Sequence, residues 1–395
     1  MKKLVVFLFV LASVLCFSQA FAGSWGFVVN SPDISNTAST PSIHTIDLGK
    51  SPPVVYGPFL EGELSTSTGP DAFDITLLKN KKYALVSVFG QSKVHRIDVQ
   101  DPTNPVLAGT VELDFFAEDI AVSPNGKFAL VTDGGFAPYV AFIDPETFTV
   151  TATVDISATG YANAVAIAKD NRTVLFADYS AGKVHYGTIN DTVDGFDSLQ
   201  SIWLCDTPVV TDTCTGNLAR PVNIAISPNG KTALVAVSNG GLVIVLSIQG
   251  KKGAVEVAPG NPFFLSGLPG GLITDDPIQG GNQSIAFRNN KEAYVLSNFP
   301  DLSPQQLSLI RIVGPGQAEI GETGIVDLLA TGGSQLFGVD VLAIKGSKAI
   351  AGHPTASEAT DNPNYSSVAY VDLKKRTVTT VPLNINAQPL GVTIK

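Results

Sequence analysis

Hydrophobic and polar positions alternate with a period of two along a stretch of about forty residues. Strict alternation covers Asp119–Ser123 and Phe148–Val154, as is typical of strands with one buried face. Between them, Phe128–Thr132 and Tyr139–Ile143 are rich in aromatic and β-branched residues, which favour strands. The first connection reads Pro-Asn-Gly-Lys, a tight turn, because Pro fixes φ and Asn-Gly tolerates positive φ. This stretch predicts four antiparallel strands.

The four-strand pattern recurs along the whole chain. The apolar residue that opens each first strand has seven occurrences, spaced by 45, 45, 59, 61, 56 and 51 residues: Ile75, Ile120, Val165, Ile224, Ile285, Val341 and Val392. A second column marks the end of each third strand: Ile46, Ile97, Ile143, Ile189, Ile248, Ile312 and Val371. Repeats of this length with four strands each indicate the blades of a propeller.

The two ends of the chain supply one blade between them. The last repeat contains only a first strand, Leu390–Lys395, whereas the N-terminal region offers three strands at Trp25–Asn30, Ser42–Asp47 and Pro53–Tyr56. Pairing the ends closes the ring and leaves no open sheet edge. The sequence therefore predicts an all-β, seven-bladed β-propeller of four-stranded antiparallel blades, whose last blade is closed by N-terminal and C-terminal strands.

The repeated segments resemble a known family. SPNGKFALVTD, from Ser123, is followed by a strand that ends in Ile-Asp, and SPNGKTALVAV starts at Ser227. They resemble the YVTN-type, lactonase-like seven-bladed β-propellers of secreted bacterial proteins, over nearly all of the chain after the leader. The resemblance implies the fold. It leaves the function open, because that group contains enzymes, surface proteins and members of unassigned role.

The first 22 residues have the pattern of a secretory signal peptide. Lys2 and Lys3 precede an apolar run, Leu4–Phe17, and Ala20-Phe21-Ala22 fits a cleavage site. A lipoprotein anchor on Cys16 is an alternative, although the bulky Leu15 before it fits that processing poorly. We predict cleavage after Ala22, a periplasmic or extracellular location, no membrane span, and a single propeller domain over 23–395.

Charge and cysteine content narrow the classes of partner. The formal net charge is −10, which argues against nucleic acid and anionic lipid surfaces as partners. After the leader, only Cys205 and Cys214 remain, in one loop. In an exported protein such a pair predicts a disulfide bond. We expect a monomer whose partners are a small molecule or a protein.

The long connections join second to third strands and one blade to the next. In a propeller these connections share one face, so we expect the site at the loop face and the mouth of the central channel. Residues just before each founding apolar position are predicted to line this mouth. The predicted ligand-binding set is Phe116, Glu118, Asp119, Tyr161, Asn163, Arg220, Asn223, Ser284 and Asp340.

Four residues of this mouth carry hard oxygen atoms that suit Ca²⁺: Glu118, Asn163, Asn223 and Asp340. They resemble the Glu/Asn/Asn/Asp calcium arrangement of gluconolactonase-type propellers. The competing interpretation is that short polar residues cap strand ends and hold channel water. No cofactor is predicted by the residues themselves, and Ca²⁺ is the alternative that the resemblance implies.

Other catalytic signals are sparse. His44, His95 and His185 lie in predicted third strands, away from the channel, and are expected to be packing or surface residues. His353 lies in a long loop, with no Gly-x-Ser-x-Gly motif elsewhere. The first hypothesis is therefore an exported scaffold that binds a ligand or a protein through the loop face and channel mouth. The alternative is a lactonase-like hydrolase with a divalent cation in the channel, and whether the protein is an enzyme stays open.

Overall fold

Our computed structural model describes most of the chain. The described residues are 23–32, 40–65, 72–135, 137–204, 218–238, 242–249, 254–257, 263–264, 281–299, 302–328, 341–352, 367–383 and 387–395. The predicted signal peptide, Cys205, Cys214, Asp340 and His353 lie outside these ranges, so the predictions made for them stay predictions. No helix in the described part of the chain is long and apolar enough to cross a membrane.

The described strands form seven antiparallel sheets. We number the strands in chain order and define blade 1 as β4–β7, blade 2 as β8–β11, blade 3 as β12–β15, blade 4 as β16–β20, blade 5 as β21–β24, blade 6 as β25–β28, and blade 7 as β29 with β1–β3. The first half comprises β1 Trp25–Pro32, β2 Ser42–Asp47, β3 Val54–Phe59, β4 Ala72–Leu77, β5 Tyr83–Val88, β6 Lys93–Asp98, β7 Val106–Glu112, β8 Ala117–Val122, β9 Ala129–Asp133, β10 Tyr139–Asp144, β11 Thr149–Asp155, β12 Ala164–Ile167, β13 Thr173–Asp178, β14 Lys183–Ile189 and β15 Phe196–Trp203.

The second half comprises β16 Pro221–Ile226, β17 Thr232–Val237, β18 Leu242–Gln249, β19 Ala254–Val257, β20 Phe263–Phe264, β21 Gly281–Asn289, β22 Glu292–Phe299, β23 Leu302–Gly314, β24 Gln317–Asp327, β25 Leu342–Lys345, β26 Lys348–Gly352, β27 Ser367–Asp372, β28 Thr377–Pro382 and β29 Ala387–Ile394. Six sheets have four strands, and blade 4 has the short β20 as a fifth. Phe89–Gln91 forms a single 3-10 turn.

The ring closes through both ends of the chain, as predicted. β1 pairs antiparallel with β29, so that Val28 lies opposite Val392, and β1 also pairs with β2. Each first strand contacts the first strand of the next blade, and β29 of blade 7 contacts β4 of blade 1. The predicted seven-bladed propeller with a composite last blade is therefore confirmed.

Apolar packing between adjacent blades holds the ring together. The buried apolar residues form seven clusters, one at each seam between neighbouring blades. All seven founding apolar residues, from Ile75 to Val392, are less than 9% exposed. The apolar residues that recur once per repeat are thus the ones that face a neighbouring blade. Burial of these faces provides the main stabilisation of the fold.

Candidate functional site

The starts of first strands and the ends of second strands meet at one end of the central channel. Glu118 lies at the start of β8, Asp133 ends β9, and Asn163 directly precedes β12. Tyr179 follows β13, and Arg220 precedes β16. Together with Phe116, these six residues form what we call the channel-mouth arc, which extends across blades 2, 3 and 4.

Glu118 is the most perturbed acid of the arc. Its side chain is buried, with 7% of the residue exposed, and the Asn163 Nδ2 group donates a hydrogen bond of 3.3 Å to Glu118 Oε2. Burial raises the pKa of Glu118 from 4.5 to about 8; the Asn163 hydrogen bond lowers it, and the charge of Asp133 raises it further. Glu118 is therefore mostly protonated at neutral pH and able to donate a hydrogen bond.

Asp133 is the second acid of the arc, and sequence analysis missed it. The Gly135 amide donates a 2.5 Å hydrogen bond to Asp133 Oδ1, whereas Oδ2 is buried and has no hydrogen-bond partner among the described residues. Burial raises the pKa of Asp133 from 3.8 to about 6, against the lowering effect of the Gly135 and Ala137 amides. Asp133 is therefore ionised at neutral pH beside a protonated Glu118.

The register of the blades explains why one oxygen of Asp133 lacks a partner. Asp133 and Asp178 occupy equivalent positions at the ends of β9 and β13. In blade 3, His185 Nε2 lies 3.0 Å from Asp178 Oδ2. In blade 2, Ala141 occupies the position that His185 has in blade 3. The methyl side chain of Ala141 cannot form a hydrogen bond. The repeated second-strand aspartate is thus a signal in the sequence that identifies Asp133.

An aromatic pair borders the two acids. Phe116 is 45% exposed, and its ring stacks on Phe89 with centroids 5.1 Å apart and an interplanar angle of 22°. Gly134 lies between this pair and Glu118: a Cβ there would be 2.6 Å from Phe89 Cε2 and from Glu118 Oε2. The absence of a side chain at Gly134 lets the loop pack against both groups.

The arc continues from Glu118 to a cationic end. The amide of Tyr179 donates a 3.1 Å hydrogen bond to Asn163 Oδ1. Arg220 Nη1 donates to the carbonyls of Tyr179 and Ser180 at 3.1 and 2.8 Å, and its guanidinium lies 5.4 Å from the centre of the Tyr179 ring. The mouth therefore has two acids and exposed aromatic surface at one end and an arginine at the other.

A second set of the predicted residues joins neighbouring blades. Asp119 Oδ2 accepts a 2.6 Å hydrogen bond from the Val165 amide of blade 3. Asp74 and Asn223 occupy the same position in blades 1 and 4, and their side-chain oxygens accept from the amides of Ile120 and Ile285 at 3.3 and 3.0 Å. We call this contact the inter-blade clasp. At the same position in blade 3, Ala164 has no side-chain oxygen to offer.

Hydroxyl groups reinforce the clasp in blades 1 and 2. The Asp119 amide donates to Thr132 Oγ1 at 3.2 Å, and this hydroxyl donates to the Asn163 carbonyl at 3.0 Å. Ser87 makes the equivalent pair of bonds with the Asp74 amide and the Glu118 carbonyl. The clasp therefore also fixes the backbone on which Glu118 and Asn163 sit.

The structure thus divides the predicted ligand-binding set. Phe116, Glu118, Asn163 and Arg220 come together in the arc. Asp119 and Asn223 form inter-blade clasps, and Tyr161 donates its amide to Asp178 Oδ2 at 3.2 Å. Ser284 is buried in blade 5, and its hydroxyl has no hydrogen-bond partner among the described residues. Whether any of these residues binds a ligand stays a prediction.

The calcium alternative stays a prediction, and two of its four candidate ligands already have hydrogen-bond partners. Calcium needs oxygen ligands that are free to coordinate it, but Asn163 Oδ1 and Asn223 Oδ1 already accept backbone hydrogen bonds. Within the described ranges, no three His, Cys, Asp or Glu side chains cluster closely enough to hold a metal ion. The fourth predicted ligand, Asp340, lies outside those ranges.

A separate concavity lies on the opposite face, where third and fourth strands are connected. It has a volume of about 370 Å³ and borders Trp25, Asp47, Lys50, Tyr56 and Thr103. The rings of Trp25 and Tyr56 are 5.5 Å apart at an angle of 46°. This concavity is outside the loop face that the sequence analysis favoured.

Comparison with known proteins gives structural likeness only. No protein family model and no curated protein matches the sequence. A solved protein of unknown function from Desulfotomaculum acetoxidans is 18% identical with a TM-score of 0.59, covering 94% of this chain and 98% of the other. A putative 6-phosphogluconolactonase from Bacteroides fragilis is 12% identical with a TM-score of 0.62, covering 95% and 99%.

The periplasmic gluconolactonase of Pseudomonas aeruginosa is a third structural neighbour, 13% identical with a TM-score of 0.61 and coverage of 93% and 97%. These likenesses show the fold. At such low identity they do not assign an activity, and membership of the YVTN-type family stays a prediction.

Proposed function

We propose that this protein is an exported propeller that binds a small, neutral, polyhydroxylated molecule of the sugar-lactone class at the channel-mouth arc. The observation that carries the proposal is the buried pair formed by a protonated Glu118 and an ionised Asp133, one oxygen of which has no hydrogen-bond partner within the described part of the chain. A hydroxyl of the ligand can donate to Asp133 Oδ2, and a ligand oxygen can accept from the Glu118 O–H. The exposed ring of Phe116 offers an apolar surface to a sugar ring.

Neutral ligands suit this pair for an electrostatic reason. An anionic group placed beside Asp133 would add a second negative charge in a buried place, which is costly. A hydroxyl satisfies the unpartnered oxygen without adding charge. The loop face can also bind a protein, as the sequence analysis allowed, but the buried acids favour a small molecule that reaches into the mouth.

Binding can be measured by calorimetry on the purified protein with glucono-1,5-lactone and with neutral pyranose sugars. Asp133→Asn should weaken binding about 10- to 100-fold, because a hydrogen bond to a charged group contributes about 1.5–3 kcal/mol. Phe116→Ala should weaken it by roughly 2- to 10-fold. Glu146→Gln, an exposed substitution in the turn after β10, is the matched control and should leave binding unchanged. Absence of saturable binding to every sugar and lactone would contradict the proposal.

A second candidate, lactone hydrolysis, is favoured by the separation of the two acid pKa values. Asp133, ionised above about pH 6, can take a proton from a water molecule that attacks the lactone carbonyl. Glu118, protonated below about pH 8, can give its proton to the ring oxygen as the acyl–oxygen bond breaks. Two carboxyl groups tuned apart in this way are a common acid–base arrangement. Two structural neighbours, a putative 6-phosphogluconolactonase and a periplasmic gluconolactonase, have names that agree with this candidate.

The hydrolysis candidate predicts a bell-shaped dependence of kcat/KM on pH, rising near pH 6 and falling near pH 8. The rate of gluconolactone opening above the spontaneous rate should be followed in a pH-stat. Glu118→Gln should remove the descending limb and lower kcat by roughly 100-fold or more. If the wild-type protein does not open gluconolactone faster than the spontaneous rate, the hydrolysis candidate is wrong and the proposal of binding without catalysis remains. Full activity after EDTA treatment would count against the calcium alternative.

A further inference from the structure

A second set of polar side chains lies in blade 3 and extends from Asp178, next to Tyr179 of the channel-mouth arc, outward to the fourth strand. Phe176, His185 and Ser201 are in register across β13, β14 and β15. His185 Nε2 is 3.0 Å from Asp178 Oδ2, and His185 Nδ1 is 2.8 Å from Ser201 Oγ. The side chains of Asp178 and His185 are completely buried, whereas Ser201 is exposed on the outermost strand. The hydroxyl is therefore the member of this relay that solvent and solutes can reach.

The protonation state of the relay follows from its partners. Besides His185, Asp178 accepts hydrogen bonds from the amides of Tyr161 and Ala181 at 3.2 and 2.8 Å. Burial raises the pKa of Asp178, but these bonds and His185 outweigh it and leave the pKa below its usual value. The ionised carboxylate of Asp178 accepts a hydrogen bond from His185 Nε2–H, so that Nδ1 of the neutral imidazole presents a lone pair to the Ser201 hydroxyl. Ser201 thus donates to a base that is already oriented.

The loop between blades 2 and 3 covers the buried part of the relay. Gly160 has φ of +139°, and a Cβ on it would lie 2.5 Å from Asp178 Oδ2 and 2.9 Å from His185 Nε2. Only a glycine permits this close approach. The loop keeps water away from the Asp178–His185 pair, which strengthens the interaction between the two groups.

Blade 1 contains a matched arrangement without the carboxylate. His95 is in register with Val86 and Thr110. Its Nδ1 lies 2.8 Å from Thr110 Oγ1, and its Nε2 lies 2.9 Å from the Leu64 carbonyl oxygen. Val88 stands at the position that Asp178 has in blade 3. A neutral carbonyl polarises the imidazole less than an ionised carboxylate does, so the chain holds its own control for the effect of Asp178.

One further cation lies on the same face of blade 3. Lys183 and Trp203 are opposite each other, two residue pairs along the strands from His185 and Ser201. Lys183 Nζ lies 4.0 Å from the centre of the Trp203 ring. An ammonium group at this place can stabilise negative charge on an acyl oxygen, while Trp203 gives an apolar contact to the rest of an ester.

We propose that Ser201, activated by His185 and Asp178, is a nucleophile that accepts acyl groups from activated esters of small carboxylic acids. Ser201 Oγ bonds to the carbonyl carbon as its proton passes to His185 Nδ1. The bond to the alcohol breaks, and the alcohol leaves with that proton. Water then hydrolyses the acyl-serine and restores the hydroxyl. The roles match those of a serine nucleophile, a general base and an orienting acid, with the two imidazole nitrogens exchanged.

Labelling by a tagged fluorophosphonate tests the proposal. Ser201 Oγ bonds to phosphorus and fluoride leaves, so that peptide mapping locates the adduct. We expect one adduct at Ser201, none at Thr110, none in Ser201→Ala, and labelling of Asp178→Asn slowed roughly 100-fold or more. Failure to label Ser201 while a serine hydrolase in the same tube is labelled would overturn the proposal. Equal labelling of Ser201 and Thr110 would do the same.

A second pair of variants covers the case in which Asp178→Asn fails to fold. Ser201→Cys and Thr110→Cys place a thiol beside His185 and His95 on exposed strand positions. Iodoacetamide should alkylate the cysteine at position 201 about tenfold faster or more, because the Asp178 carboxylate stabilises the imidazolium that forms beside the thiolate. Equal alkylation rates, or a loss of thermal stability in Ser201→Ala without any adduct in the wild type, would show that the relay is only structural.

Discussion

Glu118→Gln should make the protein more stable than the wild type at pH 8 to 9, with a difference that shrinks toward pH 5 and vanishes below about pH 4.5. In the unfolded chain Glu118 loses its proton near pH 4.5, whereas in the folded protein it keeps it up to about pH 8. Between these values the folded state binds more protons, so the stability that Glu118 contributes falls as pH rises. A pKa change of this size corresponds to roughly 4–5 kcal/mol.

The measurement is urea unfolding of both proteins from pH 5 to pH 9. Gln is a neutral replacement that can still accept the Asn163 hydrogen bond, so it imitates the protonated acid at every pH. Other buried groups also titrate. Burial lowers the pKa of His44 to about 4, so the contribution of His44 to the stability of the folded protein rises with pH. Its effect cancels in the difference between the two proteins. A difference that stays constant with pH would show that Glu118 does not titrate in this window.

Asp119→Ala should destabilise the protein by about 2–4 kcal/mol, the usual cost of leaving a buried polar group without its partner. The substitution removes the 2.6 Å bond to the Val165 amide and leaves that amide unsatisfied at the seam between blades 2 and 3. Asp119→Asn keeps an acceptor oxygen and should lose much less. Urea unfolding measures both effects. The slope of the unfolding free energy against urea concentration should stay unchanged, so that the shift of the midpoint reports the change in stability.

Asp155→Ala is the matched control for the clasp. Asp155 is an exposed aspartate of the same blade, and its carboxylate accepts a local hydrogen bond from the Ser157 amide at 2.7 Å. A surface substitution of this kind should change stability by about 0.5–1 kcal/mol or less. If Asp119→Ala were no more destabilising than Asp155→Ala, the clasp would contribute nothing to holding the blades together.

Sequence analysis predicted the elements of the fold closely. The founding strand Asp119–Ser123 is observed as Ala117–Val122, and the fourth strand Phe148–Val154 as Thr149–Asp155. The shifts of one or two residues have a simple origin. Alternation identifies the face that a strand buries, whereas its ends depend on hydrogen bonds to the neighbouring strand.

The sequence predicts where the candidate site residues lie along their strands. Glu118 and Asn163 lie at the starts of first strands, as their position relative to the founding apolar residue predicts, and whether they bind a ligand stays a prediction. Asp119 and Asn223, predicted as ligand groups, accept hydrogen bonds from amides of the next blade. Their partners lie 46 and 62 residues further along the chain, so local spacing does not reveal the contact.

The histidines show the same limit. His44, His95 and His185 were expected to be packing or surface residues, and all three are buried with hydrogen-bonded rings. Of the two expectations, packing is therefore confirmed for all three histidines. Asp178, His185 and Ser201 are separated by 7 and 16 residues, and only the pairing of β13, β14 and β15 brings them into one relay.

By itself, the sequence determined the number of blades, the direction of their strands and the closure of the ring by both ends of the chain. These follow from a short-range alternation repeated seven times. The tertiary structure decided which polar atoms find partners. Asp133 and Asp178 occupy equivalent positions. Among the residues that the structure describes, one oxygen of Asp133 has no hydrogen-bond partner, whereas Asp178 binds a histidine. The pKa and hydrogen bonding of a buried acid depend on neighbours that distant segments supply, and a one-dimensional pattern does not contain them.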